Sequence, residues 1–357
     1  MLTWQDNKEY FCAEFGKFEY KKKKACFDLD GTLIKPKDSG KKFSVEENDW
    51  VLFSSKIPEK LNELHKNDYC IIIITNQAIL KNNSLITKWK NKIKNIAEKI
   101  KIPFKLFCST KFNIYRKPMP SFMDIILDES KLENYESFYC GDAAGRLYDH
   151  SDCDYKFAIN CKISFITPET FFDNMKTDIK PIKYIDLSKN KKNNFDTAHL
   201  EINPNENKQM IILVGPPGSG KSTYARSILE NFSRINQDEL KTKTKCLNQT
   251  KKYLLENKNI VIDNTNPSVE ARNNYISLAK KYNYYIYCFL FDIPQELAYH
   301  NSLYRAYKNK TACIQKIVYR IYYSKYKKPK LDEGFKKIIT INNNITTNDK
   351  QYYLYFY

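Results

Sequence analysis

Residues Cys26-Phe27-Asp28-Leu29-Asp30-Gly31-Thr32-Leu33-Ile34 close an apolar run with two aspartates that have only Leu29 between them. In an extended strand successive side chains alternate between faces, so Asp28 and Asp30 share one side and Leu29 takes the other. Two carboxylates converging at a strand's end, with a Gly-Thr turn behind them, predict a small site with divided labour. The flanking sequence continues as apolar strand-like runs alternating with helical ones, in the segments ACFDL, CIIIITN, SLITKWKNKIKNIAEKI, FKLFCS and SFYCGD. In the third of these, Leu85, Trp89, Ile93, Ile96 and Ile100 recur at steps of three or four behind Ser84 as cap, which is one apolar helix face. Strands alternating with helices imply an α/β fold with a mostly parallel sheet, whose ligands bind beyond the carboxyl ends of the strands. Asp28 and Asp30, Thr75 and Asp142 each end one of these runs, so three separate stretches aim polar groups at one rim.

From about Phe172 to Gln209 the pattern dissolves into a polar, Asn- and Lys-rich segment, which reads as a linker with one short strand at Ile182–Leu187. A second alternating series follows: MIILVG, a helix from Lys221, NIVIDN, SVEARNNYISLAKKY and YIYCFLF. The 357 residues therefore divide into domains at 1–175 and 209–357, with 176–208 between them.

The excess of 59 Lys and Arg over 41 Asp and Glu, a net +18, favours a polyanionic partner over an acidic protein or a neutral metabolite. A basic surface that serves solubility alone is the plainer reading. Ten cysteines lie singly, with no Cys-x-x-Cys pair and no metal-like spacing, and read as free thiols in a reducing, intracellular compartment. No segment has the length of a signal peptide's apolar core or of a membrane span, so the expectation is a soluble monomer with no membrane partner.

Gly215-Pro-Pro-Gly218-Ser-Gly220-Lys221-Ser222-Thr223 fits the Walker A pattern, following a strand and opening a helix as that pattern requires. Its glycines let backbone N–H groups close around the phosphates of ATP. Lys221 reaches the terminal phosphates, and Ser222 ligates Mg2+. The proton acceptor for a receiving hydroxyl is sought downstream, and Asp238 is the candidate, with an ordinary helix cap as its competing explanation. Asp263 and Asn264 end another strand. From Arg305 to Lys330 there are nine Lys and Arg and no acid, interleaved with Tyr307, Tyr319, Tyr322, Tyr323 and Tyr326. Cations for a transferring phosphoryl group, or for a nucleic-acid backbone with aromatics stacked on bases, have this composition, and so has a solvated helix face.

The opening pair also has a chemical account. A carboxylate, Asp28, attacks phosphorus to form an aspartyl-phosphate, and Asp30 protonates the leaving alkoxide and then activates water. Two anions approach only with a cation between them, so Mg2+ is implied, with Asp28, Asp30 and Asp142 as its ligands. Thr75 and Lys117 hold the phosphoryl oxygens.

FDLDGTL, IIITNQ, YRKPMP and GDAAGR followed by DYKFAIN resemble the successive motifs of a haloacid-dehalogenase-type phosphatase. In that combination they resemble the 3′-phosphatase domain of the bifunctional polynucleotide kinase/phosphatase family. VGPPGSGKST, INQDEL, VIDNTNP, CFLFD and PKLDEGF resemble that family's kinase domain. The resemblance runs from Lys24 to Ile341 and implies a haloacid-dehalogenase-like Rossmannoid domain followed by a P-loop kinase domain. It implies removal of 3′-phosphates and phosphorylation of 5′-hydroxyls at DNA breaks, with a DNA ligase or repair scaffold as partner. By motif, Asp28 corresponds to the nucleophile, Asp30 to the acid/base, Asp142 to the metal ligand, and Thr75 and Lys117 to the phosphate holders. Asp238 corresponds to the kinase base, Asp263 with Asn264 to the acceptor side, and Asp154 to a further acid at the substrate. Two departures stand out. Gln237 replaces an arginine beside the base, and Leu303 replaces a lid arginine, which leaves Arg305 and Arg320 to neutralise the transferring phosphate. An amino-terminal phosphopeptide-binding domain is expected to be missing, because about 20 residues precede the first expected strand. An RNA end-healing enzyme, or a nucleic-acid-binding scaffold with an impaired kinase site, are the alternatives.

Overall fold

The computed structural model describes the chain except residues 39, 42, 181, 183–194, 203–206 and 343–347. It divides into two units, Met1–Tyr184 with Ala306–Cys313 and Lys350–Tyr357, and Ile185–Arg305 with Ile314–Asp349.

Two strands precede the run that ends in the aspartate pair, which the sequence pattern presents as the first strand. β1 (Leu2–Asp6) and β2 (Phe11–Phe15) pair antiparallel, and β2 continues the sheet of the first unit. Then come β3 (Lys23–Phe27), the short pair β4 (Ile34–Lys35) and β5 (Val51–Leu52), α1 (Ile57–Lys66) and β6 (Tyr69–Asn76). After these follow α2 (Asn83–Ile100), β7 (Phe104–Ser109), α3 (Ser121–Ser130), β8 (Phe138–Cys140), α4 (Cys153–Cys161), β9 (Ser164–Ile166) and α5 (Pro168–Asp173). The sheet order is β1-β2-β7-β6-β3-β8-β9, parallel from β7 to β9. β3 therefore lies between β6 and β8, and the carboxyl ends of these three neighbours carry Asp28, Thr75 and Asp142.

The apolar face of α2 buries Trp89, Ile93, Ile96 and Ile100, as its spacing predicts. Its cap is Asn82, whose side chain accepts from Leu85 N, rather than Ser84. Both are good N-caps, so local chemistry alone does not choose between them. Lys92 is buried on the same face.

In the second unit, β10 (Gln209–Val214) runs into α6 (Lys221–Ser227), followed by β11 (Ser233–Ile235), α7 (Gln237–Leu240), α8 (Lys243–Leu255) and β12 (Ile260–Ile262). Next come α9 (Val269–Lys281), β13 (Tyr285–Phe291), α10 (Gln295–Asn309), α11 (Lys316–Lys325) and β14 (Lys337–Ile341). The sheet order is β11-β12-β10-β13-β14, every pair parallel. β10 is thus flanked on both sides, and all six of its residues are buried. The expected strand at Ile182–Leu187 lies, apart from Ile182, outside the described residues. The expected linker is not structureless throughout: Ala198–Glu201 forms a 3-10 turn, and Ala198 and Ile202 are buried in the core built on β10 and β13.

The last eight residues group with the first unit. Asn160 on α4 donates to Tyr355 O (2.6 Å) and accepts from Tyr355 N (2.8 Å), and Lys156 donates to Tyr357 O. No described helix is long and apolar enough to cross a membrane. All ten cysteines are free thiols, eight of them buried.

Candidate active sites

In the first unit Asp28 follows β3 directly, and its N–H donates to Cys140 O at the end of β8. Leu29 is fully buried in the core, as the alternation requires, while Asp28 and Asp30 face the rim. Gly31 takes a φ of +86°, and a Cβ there would lie 2.6 Å from the Asp142 carboxyl carbon. The glycine behind the aspartate pair is therefore the condition for Asp142 to pack across it.

Lys117 is buried and donates to Asp28 Oδ1 and to the Tyr139 hydroxyl (2.6 Å), and it pairs with Asp154 at 2.8 Å. The Lys117–Pro118 peptide bond is cis. Tyr139 in turn donates to Ile74 O. Burial works against the charge on Lys117, but the carboxylates of Asp154 and Asp28 outweigh it and raise the pKa. The buried Thr75 Oγ1 and the Asp30 carboxylate both accept from Gln77 Nε2. Lys92 Nζ stands 3.5 Å from the other oxygen of Asp30.

Among the described residues, Asp28, Asp142 and Asp154 each offer a carboxylate oxygen within 4.8 Å of the other two. Asp30, expected among the metal ligands, is not in that group. Its carboxylate is turned to Gln77 and Lys92. Burial, then the charges of Asp154 and Asp30, push Asp28 up to about 7 against the pull of Lys117. Burial, then Asp28 and Asp154, push Asp142 up to about 8. When ionised, the three carboxylates against the one ammonium of Lys117 carry an excess of two negative charges, which one divalent cation would balance. Asp142 Oδ1 is buried with no hydrogen-bond partner. An orphaned acceptor in an anionic cluster is a donor set that fits a hard cation.

Asp154, expected at the substrate, is 1% exposed and turned inward. One oxygen meets Lys117, and the other accepts from Ala143 N at 3.1 Å. It sits where it orients Lys117. Gln77 closes the IIITNQ motif, where nothing in the local pattern points to a role for it. Tyr139 and Lys92 carried no signal, because a tyrosine in a strand and a lysine on a helix are ordinary.

In the second unit Gly215 follows β10, and Gly220 caps α6 with a φ of +96°. Lys221 is folded back on its own loop, donating to Gly215 O (2.8 Å), Pro216 O (2.7 Å) and Ser219 Oγ (3.2 Å). Burial lowers its pKa to about 8, with Arg305 adding to the effect and Asp263 and Asp238 opposing it. All three charges are thus felt at the P-loop lysine. Gly218 packs so tightly against α10 that a Cβ would overlap the Ala298 carbonyl oxygen. Thr223 is exposed on the first turn of α6.

Asp263, expected beside the acceptor, is buried 3.1 Å from Ser222 Oγ. Its other oxygen accepts from Arg234 (2.7 Å) and Asn236 (3.3 Å). A P-loop serine paired with a strand-end aspartate is the arrangement that holds a nucleotide's metal ion. Asn264 accepts from Gln237 N at 2.8 Å and so fixes the start of α7, where Asp238 faces solvent. Gln237 is exposed, and the cation at Asp263 is Arg234, three residues earlier, which no local pattern singles out. Leu303 is fully buried, so that position of α10 faces the core, while Arg305 and Arg320 are exposed. Of the interleaved tyrosines, Tyr307, Tyr319 and Tyr322 are buried and do not offer free faces to bases.

Fold and sites define a phosphoryl-transfer enzyme with two centres, one built on carboxylates and one on a P-loop. The polynucleotide kinase 3 phosphatase family matches residues 23–172, and an AAA domain matches residues 210–318. A bifunctional polynucleotide phosphatase/kinase of Schizosaccharomyces pombe is 34% identical over 349 residues, covering 94% of this chain and 84% of that protein. The polynucleotide 3′-phosphatase ZDP of Arabidopsis thaliana is 34% identical over 173 residues, covering 42% of this chain and 24% of that protein. The polynucleotide 3′-phosphatase of Saccharomyces cerevisiae is 29% identical over 203 residues, covering 41% and 85%. The chain belongs to the bifunctional polynucleotide phosphatase/kinase family. Phosphatase and kinase domains of these types use a metal ion and a nucleotide.

Proposed function

We infer that this protein heals DNA ends, removing 3′-phosphates in its first unit and phosphorylating 5′-hydroxyls from ATP in its second. The observation that carries this reading is the convergence of Asp28, Asp142 and Lys117 at neighbouring strand ends, in a chain that also holds a P-loop.

An Asp28 carboxylate oxygen attacks phosphorus while the bond to the 3′-oxygen breaks, and Asp30 gives that oxygen its proton. Asp30, now ionised, takes a proton from water. The water oxygen attacks the aspartyl-phosphate, releasing inorganic phosphate and restoring Asp28. Gln77 and Lys92 keep Asp30 aimed at the leaving oxygen. Thr75 and Lys117 hold the phosphoryl oxygens, and Asp154 and Tyr139 keep Lys117 in place. Mg2+, held by Asp28 and Asp142, would supply the positive charge that lets carboxylate and phosphate meet.

In the second unit, Asp238 takes the proton of the 5′-hydroxyl as its oxygen attacks the terminal phosphorus of ATP, whose bond to the β-phosphate oxygen breaks to release ADP. Lys221 leaves its loop carbonyls for the phosphates, and Ser222 with Asp263 would hold the nucleotide's Mg2+. Arg305 neutralises the transferring group from α10. A gel assay on matched DNA and RNA strands bearing 3′-phosphate and 5′-hydroxyl ends, with Mg2+ and ATP, tests the reading. Both conversions on DNA are expected. Turnover confined to RNA, or no transfer dependent on Lys221 and Asp238, would overturn it.

A further inference from the structure

Between the motif residue Asp142 and α4, the chain makes a turn whose two central side chains face water. Leu147 is 86% and Tyr148 93% exposed, and apart from Met1 no other large apolar side chain among the described residues exceeds 70%. Single exposed apolar residues need no explanation, but two adjacent ones on a rigid turn do. The turn is held on both sides. Arg146 donates to Asp142 O (3.1 Å), Glu169 (3.1 Å) and Asp149, and Asp149 also accepts from Ala144 N and Arg146 N, each at 3.0 Å. On the far side, His150 Nδ1 comes within 3.9 Å of the Asp142 carboxylate.

Leu147 and Tyr148 therefore lie between Arg146 and His150, which each reach Asp142, and neither is more than two residues from one of them, a span of at most about 7 Å. The exposed pair is tied to the rim of the phosphatase centre and cannot move far from it. A tyrosine on a fixed turn presents a flat face with little entropy left to lose on binding. The 3′-terminal nucleotide, whose phosphate Asp28 attacks in the reading above, carries its base outside that centre. We propose that Tyr148, backed by Leu147, is a stacking platform for the terminal base of the strand whose 3′-phosphate is removed. The proposal rests on the polynucleotide 3′-phosphatase reading above, and it makes Tyr148 a residue that selects ends bearing a base over ends that lack one.

The test compares phosphate release by the full chain from two oligodeoxynucleotides, one ending in thymidine 3′-phosphate and one ending in a base-free tetrahydrofuran 3′-phosphate. The wild type is expected to favour the base-bearing end about tenfold in kcat/KM, the scale of one base–aromatic stack. Tyr148→Ala erases that preference through KM, Tyr148→Trp retains it, and Leu147→Ala weakens it. A wild-type preference that survives Tyr148→Ala, or no preference in the wild type, overturns the proposal. Failure of the wild type to release phosphate from either end refutes instead the phosphatase reading beneath it.

Discussion

The two centres differ in how much of their chemistry is assembled before substrate arrives. In the phosphatase centre every expected group but Asp142 is buried, and Lys117 already bonds Asp28, Asp154 and Tyr139. In the kinase centre Asp238 and Arg305 face solvent, and Lys221 is bonded to the carbonyls of its own loop. The difference follows from the reactions. The covalent step proposed for Asp28 needs the nucleophile, its neighbour and a cation fixed in advance, since no bound cosubstrate orders them. A transfer between two bound substrates can leave its charges solvated and let the nucleotide draw Lys221 outward.

The sharpest way to break this comparison is to remove each centre's first group. Asp28→Asn is expected to lower 3′-phosphate release by about 10⁴-fold or more, since it deletes the attacking oxygen. ATP-dependent 5′-labelling by the same variant should stay within about twofold of wild type. Loss of both activities in a variant with an unchanged melting curve would show that the centres are not independent. Lys221→Met is the reciprocal case, with kinase turnover down about 10²- to 10³-fold and phosphate release intact.

A smaller effect separates two roles for Asp154. As the anchor of Lys117, Asp154→Asn keeps size but removes the charge and one of the two acceptors that meet Lys117 and Ala143 N, and should cost about 10- to 100-fold in kcat with KM nearly unchanged. A substrate-contacting acid would instead move KM. Steady-state kinetics on a 3′-phosphorylated strand decide between them, and Lys117→Ala should mask the effect of Asp154→Asn in a double-mutant cycle.

Asp28, Asp30, Thr75, Asp142 and the P-loop were legible because their signals are local: period-two alternation, a strand end, a glycine turn into a helix. What the sequence concealed depends on contacts between distant segments. Lys117 meets Asp28 across 89 positions and Tyr139 across 22, so no window of sequence contains the pair. Lys92 lies among apolar residues at helical spacing, and only the fold shows that its ammonium reaches Asp30 and Ser44 O rather than water. The motif offers Asp154 as an acid at the substrate, and its burial shows only in the fold, where α4 packs on β8 and β9. The amino-terminal hairpin escaped because β1 and β2 mix charged residues with aromatics and obtain their order from pairing with each other and, through β2, with β7.

The finest prediction concerns Tyr319, which the basic tract offered as a face for a base. Its ring is buried edge-on against Tyr299, and its hydroxyl lies 3.0 Å from Pro217 O in the P-loop and 3.2 Å from Ala298 O in α10. A stacking ring would lose nothing in Tyr319→Phe, because the face is kept. A clamp that ties α11 to the loop would lose its hydrogen bond and leave buried carbonyls short of a donor, costing about 1 kcal/mol. The variant should therefore raise the KM for ATP a few-fold, with 5′-hydroxyl strand affinity and phosphate release unchanged. An unchanged KM for ATP together with weakened strand binding would return Tyr319 to the nucleic-acid surface. It would also mean that the P-loop, like Asp238 and Arg305, waits for its substrate to be ordered.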